Sequence, residues 1–316
     1  ILTDSPNGSL NYQLSDPIKP LALPGAVRNL QVVPADGQVN LSWSRPLDSD
    51  GSLNNPGGES IDDYLIYYKI SSASQWQPLN DAVNDTTSAV VPGLVNGTSY
   101  DFKVAAKTRL GVGPDSESAS ISPSGIPGVP TNIVVIQGTG ILAGALLVTW
   151  DASSANGSSI SDYHVEYAES STGPWTTFSD GQNSNTGAVI TGVPTGVDLY
   201  LRVAGENAAG IGSYSNVYGP NIALGAPEAP TGLTAAVNPN GTISLNWSTP
   251  DNNGGDSITD YVVEYRKISE QTWSTFNDLT SPLLVSVVTG LSRVDGPYEF
   301  RVKALNSVGT SPASAS

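Results

Sequence analysis

The chain has 316 residues, 38% of them hydrophobic, enough for two or three cores, and 13 Lys+Arg against 29 Asp+Glu give a net charge of −16 that should repel nucleic acid and anionic lipid. It has no Cys, which excludes disulfides, zinc ribbons and thiol chemistry, and its longest apolar run, Ile141 to Trp150, is far short of the ~20 residues of a membrane span. Zero Cys fits secretion by a microbe better than by an animal, and a start at Ile1 with no Met points to a processed product whose signal peptide or anchor lies outside it.

Residues 1–23 come first and match nothing later in the chain. They hold Pro6, Pro17 and Pro20 and only a faint alternation at Leu10, Tyr12 and Leu14. Such an arm should be disordered when free. It would gain order by packing on its own domains or by adding a strand to a neighbouring sheet edge.

A pattern then opens at Pro24 and recurs. Val39-x-Leu41-x-Trp43 alternates at period two, so these side chains share one buried face of a strand. Ile61-x-Asp63-Tyr64-x-Ile66-x-Tyr68 and Tyr100-x-Phe102-Lys103-Val104-x-Ala106 follow. The second copy starts at Pro127 and Pro130, with Leu146-x-Val148-x-Trp150 and Ile160-x-Asp162-Tyr163-x-Val165-x-Tyr167. The third starts at Pro227 and Pro230. It carries Ile243-x-Leu245-x-Trp247, Ile258-x-Asp260-Tyr261-x-Val263-x-Tyr265 and Tyr298-x-Phe300-Arg301-Val302-x-Ala304-x-Asn306-x-x-Gly309. Clusters of Gly, Asn, Asp and Pro separate the blocks, as turns do, and no helical period competes.

In this order and spacing the blocks resemble fibronectin type III domains, in three tandem copies over residues 24–316, of bacterial or viral surface-protein character. The resemblance implies an all-β chain of three immunoglobulin-like sandwiches behind an extended N-terminal arm. The expected domains are the arm at 1–23, then 24–124, 125–224 and 225–316. It places the first Trp of each copy on strand B, the Tyr-x-Φ-x-Tyr block (Φ being Ile or Val) on strand C and the Tyr-x-Phe block on strand F. The expected core residues are Trp43, Tyr64, Tyr68, Tyr100, Trp150, Tyr163, Tyr167, Trp247, Tyr261, Tyr265 and Tyr298.

Three departures stand out. Counting back from Asn207 and Gly210 puts Leu199 at the corner-tyrosine position, with Tyr200 one residue late. Either the second copy lacks the hydroxyl-to-backbone bond, and is then the least stable of the three, or a one-residue slip restores it. The first copy has an insertion, Pro46 to Ser60. The third stops at Ser316, inside its last expected strand, so the natural chain is expected to continue.

Chemistry-bearing residues are few. His164 is the one His and should face solvent between Tyr163 and Val165; with no Cys, neither a Cys–His pair nor a two-histidine metal site can form. Adjacent carboxylates such as Asp62 and Asp63 point to opposite faces of a strand and cannot act as a facing acid–base pair. No cofactor and no enzymatic activity are expected. The second Trp of each copy, Trp76, Trp175 and Trp273, could stack on sugar rings or brace the C–C′ hairpin, the role that presence in every repeat predicts. Asp48 and Asp50, and the loop from Asp251 to Asp256, could hold Ca²⁺ or be solvated acidic turns. Leu53, Asn54 and Asn55 in the first copy's insertion are candidate contact residues, since loops carry variable function on such scaffolds.

The sequence therefore points to a structural or adhesive component of an extracellular microbial or viral surface: a stalk, fibre or filament subunit with protein partners. Its alternative is the accessory spacer of a secreted polysaccharide-active enzyme, where carbohydrate would be the partner.

Overall fold

The computed structural model of the chain describes residues 21–47 and 59–316. The arm through residue 20 and segment 48–58, with Asp48, Asp50, Leu53, Asn54 and Asn55, lie outside the described residues. Cα proximity divides the chain into two compact units. The first takes in the described residues through Ile126 with Ala155–Ser159 and Ala208–Gly210; the second is Pro127–Ser154, Ile160–Asn207 and Ile211–Ser316.

The first unit contains β1 (Arg28–Ala35), β2 (Gln38–Ser44), β3 (Asp63–Ile70), β4 (Gln77–Pro78), β5 (Ser88–Pro92), β6 (Tyr100–Thr108), β7 (Gly111–Asp115) and β8 (Ala119–Ile121). One sheet runs β1-β2-β5 and the other β4-β3-β6-β7, with β8 also on β6, all antiparallel. On β2, Val39, Leu41 and Trp43 are buried while Asn40 and Ser42 are exposed. A slip of one residue would reverse that pattern, so the core fixes the register. Trp43 meets Tyr64 of the opposite sheet edge to face, with ring centroids 5.2 Å apart.

The second unit holds two further sandwiches. The first of them comprises β9 (Thr131–Gln137), β10 (Leu146–Asp151), β11 (Asp162–Ala168), β12 (Thr176–Phe178), β13 (Gly187–Ile190), β14 (Asp198–Asn207), β15 (Gly210–Ile211) and β16 (Tyr218–Ile222). Its sheets run β13-β10-β9 and β12-β11-β14-β15, with β16 on β14. The other comprises β17 (Thr231–Val237), β18 (Ile243–Ser248), β19 (Asp260–Lys267), β20 (Ser274–Thr275), β21 (Val285–Val288) and β22 (Tyr298–Leu305), paired as β17-β18-β21 and β20-β19-β22. The inner aromatic pair recurs in both: Trp150 with Tyr163 at 5.3 Å and Trp247 with Tyr261 at 5.5 Å.

Strand register settles the corner position. Ile70 pairs with Tyr100 and Lys267 with Tyr298. In the second repeat Ala168 pairs with Tyr200, which leaves Leu199 at the corner site. Leu199 is fully buried in the core and Tyr200 points to the other face, half-buried, so the one-residue slip does not occur. In the first repeat the Tyr100 hydroxyl accepts the Val95 N–H at 3.2 Å; a leucine offers no such acceptor.

Candidate functional site: the outer sheet face and the joint between repeats

The expected core residues divide into two groups. Trp43, Tyr64, Tyr100, Trp150, Tyr163, Trp247 and Tyr261 are buried; Tyr68, Tyr167, Tyr265 and Tyr298 are half-buried and pack against the same clusters. The second tryptophans lie elsewhere. Each immediately precedes or adjoins the short fourth strand of its repeat and lies over the outer face of the C–F sheet, half-buried.

Cations cover these outer rings. Arg202 stacks 4.3 Å from the centroid of Trp175 and 4.3 Å from that of Tyr214, while its guanidinium pairs with Glu166 at 2.7 Å. Burial, and a hydrogen bond to Glu166, push the Tyr214 hydroxyl up to about 12. Around Trp273, Arg301 and Arg266 lie 4.2 and 4.7 Å from the ring centroid, paired with Glu264 and Glu299. Burial raises the Glu264 carboxyl, but its bonds from Lys303 and Arg301 outweigh that and hold it below the usual range. Lys103 and Lys69 stand 4.7 and 5.3 Å from the Trp76 centroid. Lys69 also pairs with Asp101, whose carboxyl is held down to about 2 by hydrogen bonds from Lys69, then Ser71 and Ser120.

These layers follow from register. Glu166 stands directly opposite Arg202, and Glu264 opposite Arg301, so an ion pair on adjacent strands presents its cation to the Trp. Such stacking is worth about 0.5–2 kcal/mol per pair, increasing with desolvation. Each outer ring thus has a cation stacked against it and remains half-exposed.

The joint between the second and third repeats lies within the second unit. Asn252 Nδ2 donates to Thr195 O at 2.8 Å, tying the B–C loop of the third repeat to the E–F loop of the second. Asn306 Nδ2 donates to Gly225 O at 2.7 Å and Asn253 O at 2.9 Å, so it holds the linker against that loop. Its Oδ1 accepts the Val308 and Gly309 N–H groups, which explains the Asn-x-x-Gly signature of the F–G turn. Gly225 N and Glu228 N donate to Gly254 O and Asn252 O. Gly196 has φ +73°, and a Cβ there would sit 2.0 Å from Asn252 Oδ1, so the approach requires glycine. A matching set lies within the first unit, where Asn96 Nδ2 donates to Asn156 Oδ1 at 2.7 Å and Gly125 N to Asn156 O at 3.0 Å.

The third repeat's acidic loop is bonded to itself and its neighbour turn. Asp256 accepts the Ser307 and Ser257 N–H groups, and its carboxyl is lowered chiefly by Ser307. Asn252 and Asn253 cap Gly254 and Gly255. This is the geometry of a turn that satisfies its own backbone. One cluster went unread in the sequence: Asp162, His164 and Glu206 converge on the outer face of the second repeat. The i, i+2 spacing of the first two was visible, but Glu206 joins them only through the β11–β14 register.

The fibronectin type III domain model matches residues 25–122 and 228–316, more than half of the chain. Among curated proteins the chain is similar to human Myomesin-2, at 26% identity over 86% of this chain and 18% of that protein. It is also similar to mouse Neogenin, at 24% identity over 98% of this chain and 20% of that protein. The chain thus spans about a fifth of the length of these relatives. A crystal structure of chicken CNTN1 FN1-FN3 domains aligns over 92% of this chain and 96% of that chain at 21% identity, with a TM-score of 0.32. No catalytic family is indicated, and the relatives are animal proteins, which gives the expected bacterial or viral character no support.

Proposed function

The chain belongs to the fibronectin type III family, and on that premise we propose that it is a non-enzymatic structural or adhesive segment whose joint between the second and third sandwiches sets their placement. The observation that carries this is the second-to-third joint, where Asn252 and Asn306 bond backbone groups across the linker. A flexible tether needs no such bonds; a spacer that transmits position does. The partner is a protein, another copy or a different chain, because a net charge of −16 opposes nucleic acid and anionic lipid. Among the described residues no helix is long and apolar enough to cross a membrane.

A stalk, fibre or filament at a microbial or viral surface is the finer form of this reading; the tandem repeats support the stalk, while the microbial or viral setting rests on composition, the named relatives being animal proteins. The accessory-spacer alternative gains nothing from the outer tryptophans, whose rings face cations.

The absence of Cys makes site-specific labelling clean. Spin labels on Gln182→Cys and Gln271→Cys in the full chain should give one narrow distance distribution. Adding Asn252→Ala and Asn306→Ala should broaden it. A broad distribution in the parent would overturn the fixed-joint reading.

A further inference from the structure

Asp162 and His164 leave β11 on the same side because they are two residues apart, and Asp162 stands directly opposite Glu206 of β14. One ligand atom from each lies within 4.8 Å of the other two, and His164 Nε2 is 2.5 Å from Glu206 Oε2. We propose that these three residues bind a divalent transition-metal ion of the Zn²⁺ type on the outer face of the second repeat.

The other two repeats serve as internal controls. All three have Asp at this strand position, and in each its Oδ1 accepts a loop N–H: Asn84 to Asp63, Asn183 to Asp162 and Ser281 to Asp260. That loop-closing duty belongs to the scaffold and orients the Asp162 carboxylate, as an outer hydrogen bond orients a metal ligand. His164 and Glu206 belong to the second repeat alone. The first has Leu65 and Lys107 at those register positions, and the third has Val262 and Leu305. The sandwich therefore forms without the pair, and its presence calls for another reason.

Charge points the same way. Residues 125–224 carry seven carboxylates, and Arg202 is the one Lys or Arg among them. Arg202 is committed to Glu166 and to the Trp175 and Tyr214 rings. Among residues 125–224 no second Lys or Arg offsets the carboxylates of Asp162 and Glu206, so the local sequence favours a cation there. One imidazole and two carboxylates make a mixed nitrogen–oxygen set suited to Zn²⁺, with bonds of about 2.0–2.2 Å and a fourth position left for water. Ca²⁺ takes six or more oxygens and Mg²⁺ strict octahedral oxygen geometry, which this trio does not supply. The His164 and Glu206 side chains are 24% and 33% exposed, so an ion can enter from solvent.

The test is calorimetric titration of the full chain, stripped with chelator, against Zn²⁺ alone. One site per chain is expected, unaffected by excess Ca²⁺ or Mg²⁺. His164→Leu copies the first repeat's residue and should fold as the parent does by circular dichroism. It and Glu206→Gln should each weaken Zn²⁺ binding by more than about tenfold. Because the chain has one His, its ring NMR signals give a second readout and should shift on Zn²⁺ addition. Ring signals that stay put at saturating Zn²⁺, or binding that His164→Leu leaves intact, would overturn the site. Either result leaves the joint-based reading above untouched.

Discussion

Two faces of one sheet can be compared residue by residue in the second repeat. Inward, Tyr163 and Val165 of β11 meet Trp150 and a core that matches those of the neighbouring repeats in kind and spacing. Outward, His164 pairs with Glu206 in the second repeat alone, while Glu166 pairs with Arg202 as Glu264 does with Arg301 in the third and gives way to Tyr67 opposite Lys103 in the first. The inner face is constrained by close packing, which tolerates few volumes. The outer face has only to stay soluble and covered, so ion pairs, stacked rings and a prospective ligand site can vary there without disturbing the sandwich.

The comparison breaks if inner and outer tryptophans prove equally costly to remove. Trp150→Ala should cost the second repeat about 3–5 kcal/mol in urea unfolding, the usual range for emptying a core aromatic site. Trp175→Ala removes a half-buried ring and its Arg202 stack and should cost about 1–2 kcal/mol by the same measurement. A loss of equal size at both positions would mean that the outer layer is part of the core. Tyr100→Phe leaves the ring in place and deletes the bond to Val95, so a loss of about 0.5–1.5 kcal/mol is expected in the first repeat. The smallest effect concerns pH. Asp101 has its carboxyl lowered to about 2 in the folded state, against an ordinary value of 3.8. Its contribution is therefore fully present above about pH 4 and is lost as pH falls through about 2. The stability gap between the parent and Asp101→Asn should accordingly shrink on acidification from pH 6 to pH 2; a gap constant across that range would rule out the charged cluster as its source.

Much of this fold could be read along the chain. The alternation around Trp43, Trp150 and Trp247 needs only the two-residue period of a strand to predict a buried face, and the Tyr-x-Φ-x-Tyr blocks lie on β3, β11 and β19, although the leading Ile61, Ile160 and Ile258 precede the strands. The Leu199 substitution could be located by counting from Asn207, but two outcomes were open: a lost corner bond or a shifted strand. Packing chose the first, because shifting β14 would have turned Leu199, Leu201 and Val203 out of the core.

The sequence by itself determined the repeat, the fold class and the inward-facing aromatics, since these depend on local backbone geometry and on apolar burial. Tertiary structure alone decided which cation covers which outer tryptophan, how Asn252 and Asn306 bridge a linker, and that Glu206 meets His164 across 42 residues of chain. Those contacts depend on strand pairing and loop closure, which join residues far apart in the chain and leave no period in it to read.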